Sequence, residues 1–376
     1  MSDPAIRICF VSPYIYPLFN PQTRAPFAEA EVQLFELARF LGRNESVEVS
    51  VVTGDYEQEE VEFYEGVLVY RMPRGGASPL PWMKRFFAEK NSLLSLLKKV
   101  DADVYVMSGW DPLAPEVVDF CVKQHRAFVY RVAHPRDCDG SFTKSLREEG
   151  EQFGWTLKQA TRIVCQTETQ RHLLRRSEKL DGVVLPNAVP FRSWGQQERR
   201  EVVWIGEIVE WKQPEMFFRL ALTLPQQAFT IFAYPRAMEY FERLVEKTRD
   251  IPNLGFQNNV PYPELPAFLE RAKLLVNTSR FEGYPYYFSL AHAMGVPVAS
   301  LNIDPDGLLA KMQVGICAHG SEVRLAEEVL ALLSFENQLK RFRENAIAFS
   351  RHFNPMDKLG VEYLKLFIRC AGEAKN

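Results

Sequence analysis

The feature that most constrains this chain is an alternation of short apolar strand candidates with helical stretches, which runs halfway along and then starts again. Ile6–Val11 opens the series and is closed by Pro13 and Pro17. Phe27–Leu41 then carries Val32, Leu34, Phe35, Leu37, Ala38 and Leu41, the spacing of an amphipathic helix. Val47–Val52, Val67–Met72, Val104–Met107, Phe128–Ala133, Ile163–Gln166 and Val183–Leu185 follow as strand candidates. Runs this continuously apolar need cover on both faces, which predicts a parallel sheet with helices on each side. The series restarts at Val202–Ile205 and continues through Phe229–Phe232, Leu254–Gln257, Leu274–Asn277, Val298–Leu301 and Gly315–Ala318. The expectation is an α/β chain of two Rossmann-like domains with a cleft between them, residues 1–193 and 194–376. Pro190–Arg200 is the linker, with Pro190 and Gly195 as its breakers. A length of 376 residues exceeds what one core usually serves.

Charge and cysteine usage narrow the function. With 45 basic and 48 acidic residues and a net charge of -3, the chain lacks the basic footprint of a nucleic-acid binder. The opening residues lack a basic segment followed by an apolar run, and no stretch approaches the ~20 apolar residues of a membrane span. The six cysteines, Cys9, Cys121, Cys138, Cys165, Cys317 and Cys370, have no CxxC spacing and read as reduced core thiols. These features predict a cytoplasmic protein. Pro81–Lys99 sets Trp82, Phe86, Phe87, Leu93, Leu94 and Leu97 among lysines and arginines. It reads either as a surface helix packed on the sheet or as an interfacial helix giving peripheral membrane contact.

Several motifs, in order, resemble the family-4 retaining glycosyltransferases of the GT-B fold, over nearly the whole chain. IRICFVSPY with the helix after it is similar to the family's first βα unit, and FVYRVAHP ends in His134, where the family has a histidine. TRIVCQTETQRHLL and LPNAV (Leu185–Val189) resemble two later segments of its first half. WIGEIVEWKQPE resembles its glycine- and lysine-bearing loop, and SRFEGYPYYFSLAHAMGVPVAS (Ser279–Ser300) its paired-glutamate motif. The resemblance implies two facing domains. It also implies hexosyl transfer, with retention, from a nucleotide sugar to a saccharide or lipid-linked acceptor. It implies further that no metal and no cofactor take part, backbone amides and a cation stabilising the leaving diphosphate instead. Lys212 would bind the diphosphate, Glu282 would orient the donor sugar and His134 would line the donor pocket. Gly206, Arg280 and the Gly283–Tyr284–Pro285 turn would complete the donor site, Asn187 would help shape the cleft, and the C-terminal helix 355–370 would cross back to the first domain.

Each candidate has a plainer reading: Lys212 as a solvated loop cation, Glu282 as a helix-terminal carboxylate, His134 as a loop residue before Pro135. Asp304-Pro305-Asp306-Gly307 contains an Asp-x-Asp pair of the kind that holds metals, but proline and glycine make it a turn and helix start. Departures from the family matter more. Its glycine pair in the first loop is Ala28-Glu29, its arginine after the second-domain glycine is Glu207, and its second glutamate falls at Leu290. A carboxylate at Glu29 would repel a phosphate charge by about 3 kcal/mol at ~5 Å and an effective dielectric of ~20. Arg24, Arg136 and Arg280 are candidates to replace the missing cation. These departures leave open a GT-B protein without turnover that serves as binding partner of another transferase, and a nucleotide-sugar epimerase that needs no acceptor.

Overall fold

The computed structural model describes residues 6–23, 25–73, 92–145, 147–190, 198–235 and 238–375. Arg24, Trp82, Phe86, Phe87 and Gly195, named above, lie outside the described residues. By contact the chain divides into two compact units. Met1–Thr23, Ala30–Pro186 and Met356–Asn376 form the first, and Arg24–Glu29 and Asn187–Pro355 the second. The divide thus falls after Pro186 rather than after residue 193. Asn187 donates to the Tyr284 carbonyl at 2.6 Å, and the Val189 amide donates to the Asn354 carbonyl at 3.1 Å, so these residues pack with the second unit.

The first unit is built on strands β1 Ile6–Val11, β2 Val47–Thr53, β3 Val61–Tyr64, β4 Val67–Arg71, β5 Val104–Ser108, β6 Ala127–Arg131, β7 Arg162–Cys165 and β8 Val183–Val184. They lie in the order β3-β4-β2-β1-β5-β6-β7-β8. All pairs are parallel except β3–β4, an antiparallel hairpin at one edge. β3 was not expected from the sequence, because only alternate residues turn inward and Phe63 is 69% exposed. The hairpin turns through Glu65 and Gly66, both at positive φ, and a Cβ on Gly66 would stand 2.1 Å from the Gly42 carbonyl oxygen.

The C-terminal helix runs over Met356–Ala374 and belongs to the first unit. Phe367 meets Phe10 edge-on at 6.3 Å, and the Tyr363 hydroxyl accepts from Arg131 Nε at 3.0 Å and donates to the Leu185 carbonyl at 3.2 Å. Residues 92–100 form a helix whose Leu93, Leu96, Leu97 and Val100 are buried in this unit's core. The described half of Pro81–Lys99 therefore packs on the sheet, while 81–91 lie outside the described residues. Among the described residues, no helix is long and apolar enough to cross a membrane.

The second unit carries β9 Glu201–Ile208, β10 Ala228–Pro235, β11 Leu254–Asn258, β12 Ala272–Asn277, β13 Val298–Ser300 and β14 Gly315–Cys317. Every pair is parallel and the order is β11-β10-β9-β12-β13-β14. The chain thus winds outward from β9 to one edge and then from β12 to the other. Between β9 and β12 lies the switch point, outside whose carboxyl ends ligands bind in such sheets. Trp204, Phe217, Phe229, Ile231 and Leu274 fill the core beneath. Asp304-Pro305-Asp306-Gly307 is a turn into helix Leu308–Lys311, and Asp304 Oδ1 accepts from the Leu309 amide at 2.8 Å.

Candidate active site in the second unit

Two loops leave the carboxyl ends of β9 and β12 and are tied to each other. The β9 loop makes a single 3₁₀ turn, Glu210–Lys212, then Gln213 takes left-handed backbone before helix Pro214–Thr223. The β12 loop runs through Thr278–Pro285 into helix Tyr286–Ala293. Trp204 Nε1 donates to Thr278 Oγ1 at 2.9 Å, and Thr278 Oγ1 donates to the Lys212 carbonyl at 2.6 Å. The Arg280 amide donates to the Trp211 carbonyl at 2.8 Å. One bond to the Lys212 carbonyl and one to the Trp211 carbonyl therefore fix the β9 loop against the β12 loop.

Lys212 is not a solvated loop cation. Its side chain is 6% exposed, and Nζ lies 2.6 Å from Glu29 Oε1 and 3.6 Å from Glu282 Oε1. Gly206 gives it room, since a Cβ there would stand 3.1 Å from Lys212 Cδ and 3.0 Å from the Trp204 ring. Burial alone would lower the Lys212 pKa, but Glu282, Glu29 and Glu207 outweigh it and hold the ammonium above the usual lysine range. Glu282 is held in turn: Asn277 Nδ2 donates to its Oε1 at 3.1 Å, and Ser279 Oγ donates to the same oxygen.

Glu29 completes the cluster from 183 residues away. Its Oε1 takes the Lys212 ammonium, while Oε2 accepts from the amides of Tyr286 at 2.6 Å and Tyr287 at 3.4 Å. Those are the first N–H groups of helix Tyr286–Ala293, where the helix dipole favours negative charge. Burial raises the Glu29 pKa above the usual carboxylate range; Lys212 opposes the rise and Glu282 adds to it. The amides expected to meet a phosphate were those of Gly283–Pro285. Pro285 has no N–H, so the leading amides of the helix are those of Tyr286 and Tyr287, and these meet the Glu29 carboxylate.

The other expected residues separate into groups. Tyr284 is buried, with its hydroxyl accepting from Asn354 Nδ2 at 3.0 Å and its carbonyl taken by Asn187, so the pair holds the loop from beneath. Pro285 caps the helix and Gly283 is half-buried. Arg280 is exposed. Leu290 is buried and carries no acceptor. Trp211 and Phe281, each one residue before a charged site residue, stack at 6.5 Å and are exposed. His134 lies in the first unit, after β6, at the start of the 3₁₀ turn Pro135–Asp137. Its Nδ1 accepts from the Arg136 amide at 3.1 Å, so the proton of the neutral ring sits on Nε2 and makes that atom a donor. Asp137 Oδ2 accepts from the amides of Ala133 and His134, at 2.9 and 3.0 Å, and burial pushes its pKa up to about 6. Arg136 lies over the Phe142 ring at 5.6 Å, also in the first unit.

Sequence reasoning marked Glu29 only as a departure, and missed Asn277, Ser279 and Thr278 as the residues that hold Glu282 and Lys212. The one available signal was Ser279, three residues before Glu282 in the quoted motif.

Comparison with solved structures places this architecture. Sucrose-phosphate synthase from Thermosynechococcus elongatus superposes with a TM-score of 0.74 at 13% identity, over 97% of this chain and 98% of that one. HepE from Anabaena, in complex with UDP and glucose, gives 0.67 at 13% identity, over 96% and 99%. WaaG, a glycosyltransferase involved in lipopolysaccharide biosynthesis, gives 0.66 at 15% identity, over 96% and 99%. No curated protein matches the sequence. These likenesses define the class: a GT-B fold of two parallel-sheet α/β domains. Residues 30–192 match Glycosyltransferase Family 4, and residues 199–334 match Glycosyl transferases group 1. Both models are of glycosyltransferases and together they span most of the chain, which is a glycosyltransferase.

Proposed function

We propose that the chain moves a hexosyl group from a nucleotide sugar to a saccharide or lipid-linked acceptor, with retention of configuration and without a metal. The observation that carries this reading is the buried Lys212–Glu282 pair at the carboxyl ends of β9 and β12, beside the amides of Tyr286 and Tyr287. Breaking a glycosyl–diphosphate bond leaves negative charge on the diphosphate, and a fixed cation with helix amides stabilises that charge as it grows. Lys212 and the amides take the diphosphate, and Glu282, oriented by Asn277 and Ser279, takes hydroxyls of the donor sugar. The nucleotide sugar is a substrate rather than a resident cofactor. HepE, bound to UDP and glucose, supports this ligand class, and we place the reaction in the cytoplasm.

The test is thermal unfolding with a panel of nucleotide sugars, with and without EDTA, followed by NMR of the product anomer. One donor at ~100 times its Kd should stabilise the protein by about 2.7 kcal/mol, unaffected by EDTA, and the product should keep the donor's configuration. Loss of turnover in EDTA with recovery in manganese would overturn metal independence. The Glu29 carboxylate on Lys212 favours one second reading, a family member that binds another transferase without turning over a donor. Absence of stabilisation by every nucleotide sugar would select it.

A further inference from the structure

We propose that Glu29 is a specificity-determining residue: its carboxylate occupies the anion cradle of the second unit and must be displaced before a diphosphate can enter. The inference rests on the reading that Lys212 and the amides of Tyr286 and Tyr287 receive the donor diphosphate. One carboxylate satisfies all three groups at once, with Oε1 on Lys212 Nζ at 2.6 Å and Oε2 on the two amides at 2.6 and 3.4 Å. A phosphate oxygen would use the same donors. The side chain that brings the charge is built in, being 15% exposed and at the first position of helix Glu29–Leu41. Residues 25–28 before it form no helix or strand, and Phe27 is anchored against the Tyr234 ring at 5.1 Å. Its backbone is thus held, and displacement of the carboxylate falls to the three side-chain torsions of Glu29.

Charge makes displacement obligatory. With Glu29 in place, Lys212 already faces Glu29 and Glu282, with Glu207 acting on it as well. A diphosphate entering beside them would meet net negative charge in a poorly solvated site. Once Glu29 leaves, the Lys212 ammonium and the two helix amides are open to an anion, with Glu282 alone still in ion-pair range of the lysine. Displacement costs binding energy, so a bare diphosphate or a spent nucleoside diphosphate is held weakly. A complete donor, with further contacts through its sugar and base, overcomes the internal competitor. In this way Glu29 sets which anions enter and promotes release of the leaving group.

The experiment compares the wild-type chain with Glu29→Gln by calorimetric titration of inorganic diphosphate, UDP, ADP and GDP, then of the corresponding nucleotide sugars. Glutamine keeps the shape and an acceptor oxygen but removes the charge. Glu29→Gly, which restores the residue the family carries in this loop, serves if the first variant does not fold. The expected result is at least ~10-fold tighter binding of inorganic diphosphate and of one nucleoside diphosphate by the variant. The gain for the complete nucleotide sugar should be smaller than for the bare anion. Equal or weaker binding of the bare anions by the variant, including no detectable binding by either protein, would overturn the inference. The two readings fail differently. Bare anions that bind the variant no better than wild type, while a nucleotide sugar binds both proteins, sink the Glu29 inference and leave the donor site standing. A variant that gains inorganic diphosphate but neither binds nor turns over any nucleotide sugar sinks the donor reading and leaves the competitor in place.

Discussion

Replacing Lys212 with methionine should destabilise the second unit by about 3–5 kcal/mol, because it leaves two carboxylates buried without their cation. An exposed loop lysine, as the sequence suggested, would cost almost nothing. Here the side chain is 6% exposed and lies 2.6 Å from one carboxylate oxygen and 3.6 Å from another. At an effective dielectric of about 20 the two gross attractions are roughly 6 and 5 kcal/mol, and desolvation of the three charges offsets most of that sum. Methionine keeps the apolar stem beside Gly206 and Trp204, so the loss reports charge rather than packing. The pH dependence has a definite sign. Without Lys212 the Glu29 pKa rises further above its unfolded value, so the variant gains stability relative to wild type as pH falls and Glu29 takes up a proton. Urea unfolding monitored by tryptophan fluorescence is a suitable assay, since Trp204 is buried and its indole bonds to Thr278 in this site. Adding Glu29→Gln to Lys212→Met should restore at least ~1 kcal/mol. A single variant within about 0.5 kcal/mol of wild type, or a double variant less stable than the single one, would refute the reasoning.

Two further predictions follow from groups outside the charge cluster. His292, buried on helix Tyr286–Ala293 edge-on to Phe349, has its pKa pushed by burial from 6.5 down to about 3. The stability it contributes is full above pH 6.5 and is lost as pH falls, at up to ~1.4 kcal/mol per pH unit, so His292→Leu should flatten the acid limb of a stability–pH curve measured in urea. Asn187→Ala should cost about 1–3 kcal/mol, read from the same urea midpoints, because it strips the 2.6 Å donor from the buried Tyr284 carbonyl.

The two sheets were legible because their central strands are buried on both faces, which writes continuous apolar runs into the sequence. β3 was not, because Val61 and Phe63 face solvent at an antiparallel edge and its flanks are rich in glutamate. Lys212 and Glu282 were legible as chemistry, since each sits in a motif at the end of a strand of the second series. Their burial was not, because it depends on Glu29, whose position is set by tertiary folding across 183 residues. The sequence showed that a carboxylate stood where the family has glycine and that it would repel a phosphate. It did not show that the carboxylate takes the cradle for itself.

The most direct test of the account is the rate at which the chain releases nucleoside diphosphate from its preferred nucleotide sugar in the presence of acceptor, compared between wild type and Glu282→Gln. Glu282 has both a motif position and a fixed geometry, with Asn277, Ser279 and Lys212 on one oxygen. If it orients the donor sugar as charge develops, Glu282→Gln should lower kcat/KM by about 100-fold or more while retaining a folded unfolding transition. A Glu282→Gln variant that turns over the donor at the wild-type rate would contradict the central claim that transfer takes place at this site.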